Sequence, residues 1–509
     1  MAGQNETGRN GPKLAGCYRA SPGAAGRWLG EADHCGRGRS SCELNLRGGN
    51  GTMPRMSNDE TSGAENRRFN LTDLADLARV ADELGVRVDA QEDVSNLAAP
   101  VELGVRTLPN SLAIHPMEGC DGNGTGGPGP LTVRRYERFG AGGAGLVWFE
   151  ATAVVPEGRA NPRQLWINRD NVGDFAALVE RTIDVAADRF GRSHRPMLVL
   201  QLTHSGRYCR PKGEPAGMLA QYIPPRDESL RDGQYRVVTD DYVDDLIGHY
   251  VTAAELAFEA GFDAVDIKAC HGYLISDLLG ARTREGKYGG PLANRMRFLL
   301  DVVDSIQAHR DARGRVTTRL GVFDAIAQPY GWGVSAESAD KPDLTEPKML
   351  MVALAARGVE LVNVTVANPY YNPHYSRPFD MPVIGGYAAP EHPLVGVAGL
   401  IHLAGEIQKS FPQVAVMGTG YTWLRHLMPN VAAASKARGL ATVIGVGRLA
   451  LAYPDFAADI IANERLDPEK VCISCSGCSQ IMRDGGEAGC IVRDAEIYRA
   501  IYKQGRSGR

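Results

Sequence analysis

The sequence predicts a (β/α)₈ barrel, and three observations predict it. Short β-rich apolar runs alternate with helical patterns, the order of parallel βαβ units. There are eight such runs, the number that closes a barrel. The first run ends in His115-Pro116-Met117-Glu118, whereas an open doubly wound nucleotide fold carries a Gly-x-Gly-x-x-Gly turn after its first strand.

The runs lie at residues 111–117, 145–154, 197–204, 264–270, 317–323, 361–366, 414–418 and 441–445. Helical patterns fall between them at 175–190, 242–260, 294–309, 348–357, 398–410 and 423–438. The barrel is expected over residues 96–465, with a helical lead-in at 56–95. There Leu71, Leu74, Leu77, Val80 and Leu84 recur at helical spacing, and Asn70 or Thr72 is the expected cap. Residues 1–55 are rich in Gly, Arg, Ser and Asn without apolar periodicity. Such a stretch buries too little surface to offset its ordering entropy, so a disordered extension is expected, with Met53 or Met56 as an alternative start.

Of the 509 residues, 43% are hydrophobic and 23% charged, the balance of a soluble globular protein. The net charge is −4 and no basic stripe stands out, so no nucleic-acid partner is expected. No apolar run reaches the roughly 18 residues a membrane span needs. The first residues hold no apolar core with a cleavage signal, so a cytoplasmic protein is expected.

In a barrel of this kind chemistry gathers at the C-terminal ends of the strands. The densest run there is Val265-Asp-Ile-Lys-Ala-Cys-His-Gly-Tyr-Leu-Ile-Ser-Asp-Leu-Leu279, followed by Tyr288-Gly-Gly-Pro-Leu-Ala-Asn-Arg295. Lys268, His271 and Tyr273 offer a cation, a switchable donor and a phenol within six residues. Together they suit a site that polarises a carbonyl and delivers a proton. In an arbitrary loop the plainer reading is a solvated lysine beside a packed histidine and tyrosine.

The run resembles the Old Yellow Enzyme superfamily of FMN reductases, whose fourth strand ends His-x-x-His/Asn-Gly-Tyr and leads into Tyr-Gly-Gly-Ser-Leu-x-Asn-Arg. The resemblance extends over residues 110–455. Gly142-Gly-Ala-Gly-Leu-Val-Trp-Phe-Glu-Ala-Thr-Ala-Val-Val-Pro-Glu-Gly-Arg159 looks like the family's second strand, and Leu200-Gln-Leu-Thr-His-Ser-Gly-Arg207 like its third. By the same matching, Pro116 and Met117 would pack beside the isoalloxazine and Ala151 would lie near the ring. Gln201 would bond its pyrimidine edge, and Arg319 would face the N1/C2-carbonyl side and favour reduced, anionic flavin. Gly418-Thr-Gly420 and Gly445-Val-Gly447-Arg448 end strands seven and eight, where barrels commonly hold phosphate. Arg448 is the expected phosphate partner.

Two departures from the family stand out. Lys268 replaces the leading histidine, and lysine keeps its charge unless desolvated. Glu118 stands where relatives often carry Thr or Cys. In relatives of trimethylamine dehydrogenase a nearby cysteine links covalently to flavin, but Cys120 lies two residues on, so noncovalent FMN is expected. Asn368-Pro-Tyr-Tyr-Asn-Pro-His-Tyr-Ser-Arg-Pro378 follows strand six and puts Tyr370, His374 and Arg377 at the barrel mouth. It reads either as a turn-rich loop or as a substrate loop with His374 a second proton donor.

Ten cysteines are present, and four form Cys472-x-x-Cys475-x-x-Cys478-x₁₁-Cys490. A disulfide framework fits a chain of this length poorly, so metal is the better reading. Cys17, Cys35 and Cys42 lack a paired short spacing and are not expected as ligands. Zinc accepts four thiolates but usually pairs two Cys-x-x-Cys knuckles; three close cysteines and a remote one suit a cubane better. The resemblance agrees, since relatives of 2,4-dienoyl-CoA reductase and trimethylamine dehydrogenase carry a 4Fe–4S cluster here. Residues 466–509 are therefore expected to be an iron–sulfur segment.

In those relatives the chain continues into domains for a second dinucleotide, while this sequence ends at Arg509. NADH or NADPH docking over FMN, or a separate electron-transfer protein, is the expected electron source. The expected activity is reduction of an α,β-unsaturated carbonyl, acid or thioester, a small-molecule substrate. FMN would pass hydride, Lys268 and His271 would hold the carbonyl, and Tyr273 would protonate the α-carbon. The alternatives are an amine-type dehydrogenase passing electrons out through the cluster, and a non-catalytic barrel with structural zinc.

Overall fold

Eight parallel strands close on themselves in chain order, and each is followed by a helix. In the computed structural model, which describes residues 68–104, 106–228, 230–309 and 314–507, they are β1 (Leu112–Ile114), β2 (Leu146–Ala153), β3 (Met197–Thr203), β4 (Ala264–Ile267), β5 (Arg315–Gly321), β6 (Leu361–Thr365), β7 (Ala415–Gly418) and β8 (Val443–Val446). The seam pairs β8 with β1 at Ile444–Leu112 and Val446–Ile114. The outer helices are α1 (Pro130–Gly140), α2 (Val172–Phe190), α3 (Asp240–Glu259), α4 (Leu292–His309), α5 (Thr345–Ala356), α6 (Pro393–Ser410), α7 (Met428–Ala437) and α8 (Phe456–Asn463). The (β/α)₈ expectation is met. The expected disordered extension and the first part of the lead-in lie outside the described residues.

Two apolar layers build the barrel. One lies between strands and helices. The other fills the lower interior with Ala113, Leu146, Trp148, Met197, Val199, Ala264, Leu361, Met417 and Val443. A hairpin of Val101–Leu103 and Arg106–Leu108 plugs that end with Val101, Leu103 and Leu108. Sealing the bottom leaves the strand C-termini as the open face.

Local chemistry moves two boundaries. The lead-in helix runs Leu74–Glu83, and its cap is Asp73, which accepts from the Asp76 amide at 2.9 Å, rather than Asn70 or Thr72. The expected helix at 423–438 is a tight 3₁₀ segment, Tyr421–Leu427, then α7. Arg425 stands at φ 51°, a left-handed conformation that no continuous helix accommodates.

The C-terminal segment adds α9 (Gly477–Arg483) and α10 (Ala495–Arg506). It is tied to the barrel: Asp494 accepts from Arg134 at 2.7 Å and from Arg138 at 2.5 Å, and the Ala488 amide donates to Gly119 O at 2.7 Å.

Candidate functional site

The open face carries polar groups on nearly every strand end, and several lack partners. After β1, His115 is buried and its Nδ1 lies 3.2 Å from Asn363 Nδ2 of β6. His115 Nε2, Asn363 Oδ1, Glu118 Oε1 and Arg319 Nε have no hydrogen-bond partner. A buried orphan of this kind costs about 1–3 kcal/mol, so a cluster of them marks a place made for a polar ligand. Arg319 of β5 is only 8% exposed, and burial pulls its pKa down.

Gln201 of β3 is fixed from below. Its Nε2 donates to Asp266 Oδ2 at 2.6 Å, which also accepts from Trp148 Nε1 at 2.9 Å. The Arg319 amide donates to Asp266 Oδ1 at 2.5 Å. With the amide nitrogen engaged, the Gln201 carbonyl is left to accept. Burial raises the Asp266 carboxyl to about 6, against the pull of these donors.

The end of β2 is set by a second buried network. The strand bulges between Phe149 and Ala151, at Glu150. Arg135 of α1 pairs with both Asp121 and Glu150, and the Gly119 amide donates to Glu150 Oε2 at 2.8 Å. This network anchors the β1 tail that carries Glu118 and the bulge that presents Ala151. Cys120 is buried, and its Sγ accepts from Asn161 Nδ2 at 3.3 Å.

The tail of β4 gathers the predicted catalytic group. His271 sits at φ 65°, its Nε2 3.4 Å from Thr365 Oγ1, and burial with the nearby Arg319 and Lys268 charges holds it well below the usual histidine range. Tyr273 is buried, and its hydroxyl lies 3.2 Å from that of Tyr370. Tyr208 joins them, with ring centroids 4.4 Å from Tyr370 and 6.0 Å from Tyr273. Burial, then the Glu118 charge, pushes the Tyr273 phenol well up. The Lys268 ammonium lies 3.6 Å from the Tyr273 ring centroid. In this arrangement Lys268 faces its own tyrosine.

His374 lies in the short helix Pro373–Ser376, with Nδ1 2.5 Å from the Tyr387 hydroxyl and its ring against Tyr375. Those contacts hold it within the β6 loop, and none joins it to Tyr273 as a second proton donor. Arg448 has one arm engaged, Nη2 donating to Pro378 O at 2.7 Å, while Nη1 is unpartnered. Gly420 takes φ 106°, and a Cβ on Gly447 would come 2.7 Å from Met117 Sδ. These glycines therefore let the β7 and β8 ends approach their neighbours closely.

Cys472, Cys475, Cys478 and Cys490 line one cleft, with Arg448 and Arg493 at its wall. Ser474 and Ser476 take left-handed backbone, which turns the loop around the cleft. The Ser474 amide donates to Cys472 Sγ at 3.4 Å, and the Arg493 amide to Cys490 Sγ at 3.3 Å. Burial pushes the Cys472 thiol up to about 12, opposed by Arg448. Among the described residues no three His, Cys, Asp or Glu side chains converge on one metal ion. The β6 loop grips this segment: the Asp380 amide donates to Ser474 O at 3.2 Å, Ser476 Oγ to Met381 O at 2.7 Å, and Arg377 Nη1 to Ser479 Oγ at 3.1 Å.

Sequence reasoning passed over Asp266, Tyr208 and the Asp121–Arg135–Glu150 network. One signal was available for Asp266: a lone carboxylate in the apolar run Ala264-Val-Asp-Ile267, which burial permits only with donors around it.

A family model described as the NADH:flavin oxidoreductase / NADH oxidase family matches residues 96–349. An NADPH dehydrogenase of Bacillus pumilus is 33% identical over 277 residues, 53% of this chain and 73% of the relative. An NADPH dehydrogenase of Halalkalibacterium halodurans is 31% identical over 205 residues, 40% of this chain and 56% of the relative, so the match spans little more than half of that protein. Among solved structures, a 2-naphthoyl-CoA reductase in complex with 2-naphthoyl-CoA superposes with TM-score 0.63 at 18% identity, over 82% of this chain and 58% of that one. At that identity the likeness is one of fold. No helix among the described residues is long and apolar enough to cross a membrane.

Proposed function

The chain belongs to the NADH:flavin oxidoreductase / NADH oxidase family, and we propose that it reduces an activated carbon–carbon double bond with noncovalent FMN at the barrel mouth. FMN supplies the hydride for the β-carbon. The orphaned polar atoms of His115, Asn363, Glu118 and Arg319 fit such a ligand. Arg319 supplies positive charge beside it, Gln201 offers an acceptor to its pyrimidine edge, and Pro116, Met117 and Ala151 supply packing. Gly418, Gly420, Gly447 and the free Nη1 of Arg448 suit its phosphate. The buried Cys120, already hydrogen-bonded, supports a noncovalent mode.

His271 is suited to hold the activating carbonyl, and Tyr273 to protonate the α-carbon. The observation that carries this reading is the buried Tyr273 hydroxyl, two residues past His271 after β4 and held by the Tyr370 hydroxyl. The substrate class is an α,β-unsaturated carbonyl, acid or thioester, with NADPH or NADH as donor.

We also assign Cys472, Cys475, Cys478 and Cys490 to a 4Fe–4S cluster. Four cysteines lining one cleft, with amide donors to two of the sulfurs, support this reading. It gives a separate electron-transfer protein a point of exchange.

The test is anaerobic stopped-flow on the holoenzyme. Bound flavin should bleach with NADPH or NADH and recover its colour with an enone or enoyl thioester. Tyr273→Phe should slow recovery about a hundredfold or more while leaving bleaching intact. Equal loss in both half-reactions would remove Tyr273 as proton donor. Bleaching by an amine and by neither nucleotide would reverse the reading in favour of a dehydrogenase.

A further inference from the structure

Lys268 is 5% exposed, and its ammonium stands over the face of a phenol buried still more fully, 3.6 Å from the ring centroid of Tyr273. Such a desolvated cation over a ring is held by the ring's quadrupole. The anionic or acidic groups acting on Lys268 are Cys270, Glu118 and Asp266, with Arg319 opposing. The groups facing Tyr273 from other elements are Glu118 and Cys120 after β1, Tyr370 after β6, and Tyr208 after β3. The cation over its ring face is Lys268. A buried phenol beside a carboxyl is a poor acid, and a positive charge on its face works in the opposite direction.

We infer that Lys268 is a positioning residue for Tyr273: it fixes the ring and stabilises the phenolate left when the proton departs, instead of gripping a substrate carbonyl. The inference rests on Tyr273 as proton donor. In that step the hydride and its two electrons, taken from reduced FMN, form the bond to the β-carbon. The Tyr273 O–H bond breaks, a C–H bond forms at the α-carbon, and the phenolate recovers a proton from solvent before the next cycle. Lysine at this position, where relatives carry histidine, then changes the acidity of the donor without changing the reaction.

Two measurements on the holoenzyme test this. A fluorinated tyrosine is placed at position 273 and its ionisation followed by fluorine NMR. Lys268→Met should raise its pKa by about one unit, a roughly tenfold weaker acid, and Lys268→Arg should restore most of the shift. An unchanged ionisation overturns the inference. In parallel, 2-cyclohexenone reoxidises reduced enzyme. Lys268→Met should slow that step about tenfold with enone affinity unchanged, and should add no further loss in a Tyr273→Phe background. Equal loss of enone affinity in both backgrounds overturns it in favour of a carbonyl ligand. If Tyr273→Phe alone leaves alkene reduction untouched, the proton-donor reading fails, and the fluorotyrosine titration still decides whether Lys268 acts on Tyr273.

Discussion

Gln201 of β3 donates its side-chain amide to Asp266 of β4 at 2.6 Å, so a carboxylate buried in the barrel wall sets which end of that amide faces a ligand. The relationship has a pH signature. Asp266 titrates at about 6 in the folded chain, above its ordinary 3.8. Between those values the native state keeps a proton that the unfolded chain has lost. This group's contribution is therefore full below about pH 4, falls as the pH rises to about 6, and is then level. Asp266→Asn should abolish that slope, seen as the difference between wild-type and variant denaturant-unfolding free energies across pH 4–7. It should also cost about 1–3 kcal/mol overall, since one of three donors loses its acceptor. Parallel pH profiles would refute the assignment.

Arg135 lies between two buried carboxylates, Asp121 and Glu150. Arg135→Met leaves both uncompensated, and removing one partner of a buried ion pair costs about 3–5 kcal/mol. The expected outcome is an unfolding free energy lowered by that amount, with weakened FMN retention because the β1 tail and the β2 bulge lose their common anchor. Stability within about 0.5 kcal/mol of wild type would show that the network is not under load.

Cys475→Ala removes one thiolate from the cleft shared by four. Anaerobically purified variant should lose most of its iron and acid-labile sulfide, while flavin per chain stays near that of the wild type, because the proposed flavin contacts belong to the strand ends. Zinc without sulfide in the wild-type protein would refute the cluster.

The strand pattern was legible because buried barrel strands read as near-continuous apolar runs. Residues 361–366 mark β6, observed at Leu361–Thr365, and 414–418 mark β7, observed at Ala415–Gly418. The first strand reads too long, since 111–117 includes Pro116, which has no amide for the ladder, and β1 ends at Ile114. The residue types of the site were legible for the same reason the strands were: they close the runs. Their directions were not. Lys268 faces Tyr273 and feels the charge of Glu118, which lies far away in the chain, and no local pattern encodes that. Asp266 is satisfied by donors on β2, β3 and β5, so its purpose exists only once the barrel closes.

The grip of the β6 loop on the cysteine segment also orders events in time. Ser476 and Gln480, which hold Met381 and Ile384, lie 95 and 96 residues downstream of them. At about 5–20 residues per second on the ribosome, the loop at the barrel mouth waits about 5–20 s for its clasp to be made. A nascent chain can therefore close its eight strands and still lack a finished rim, and the last turn of assembly belongs to the same segment that would receive iron.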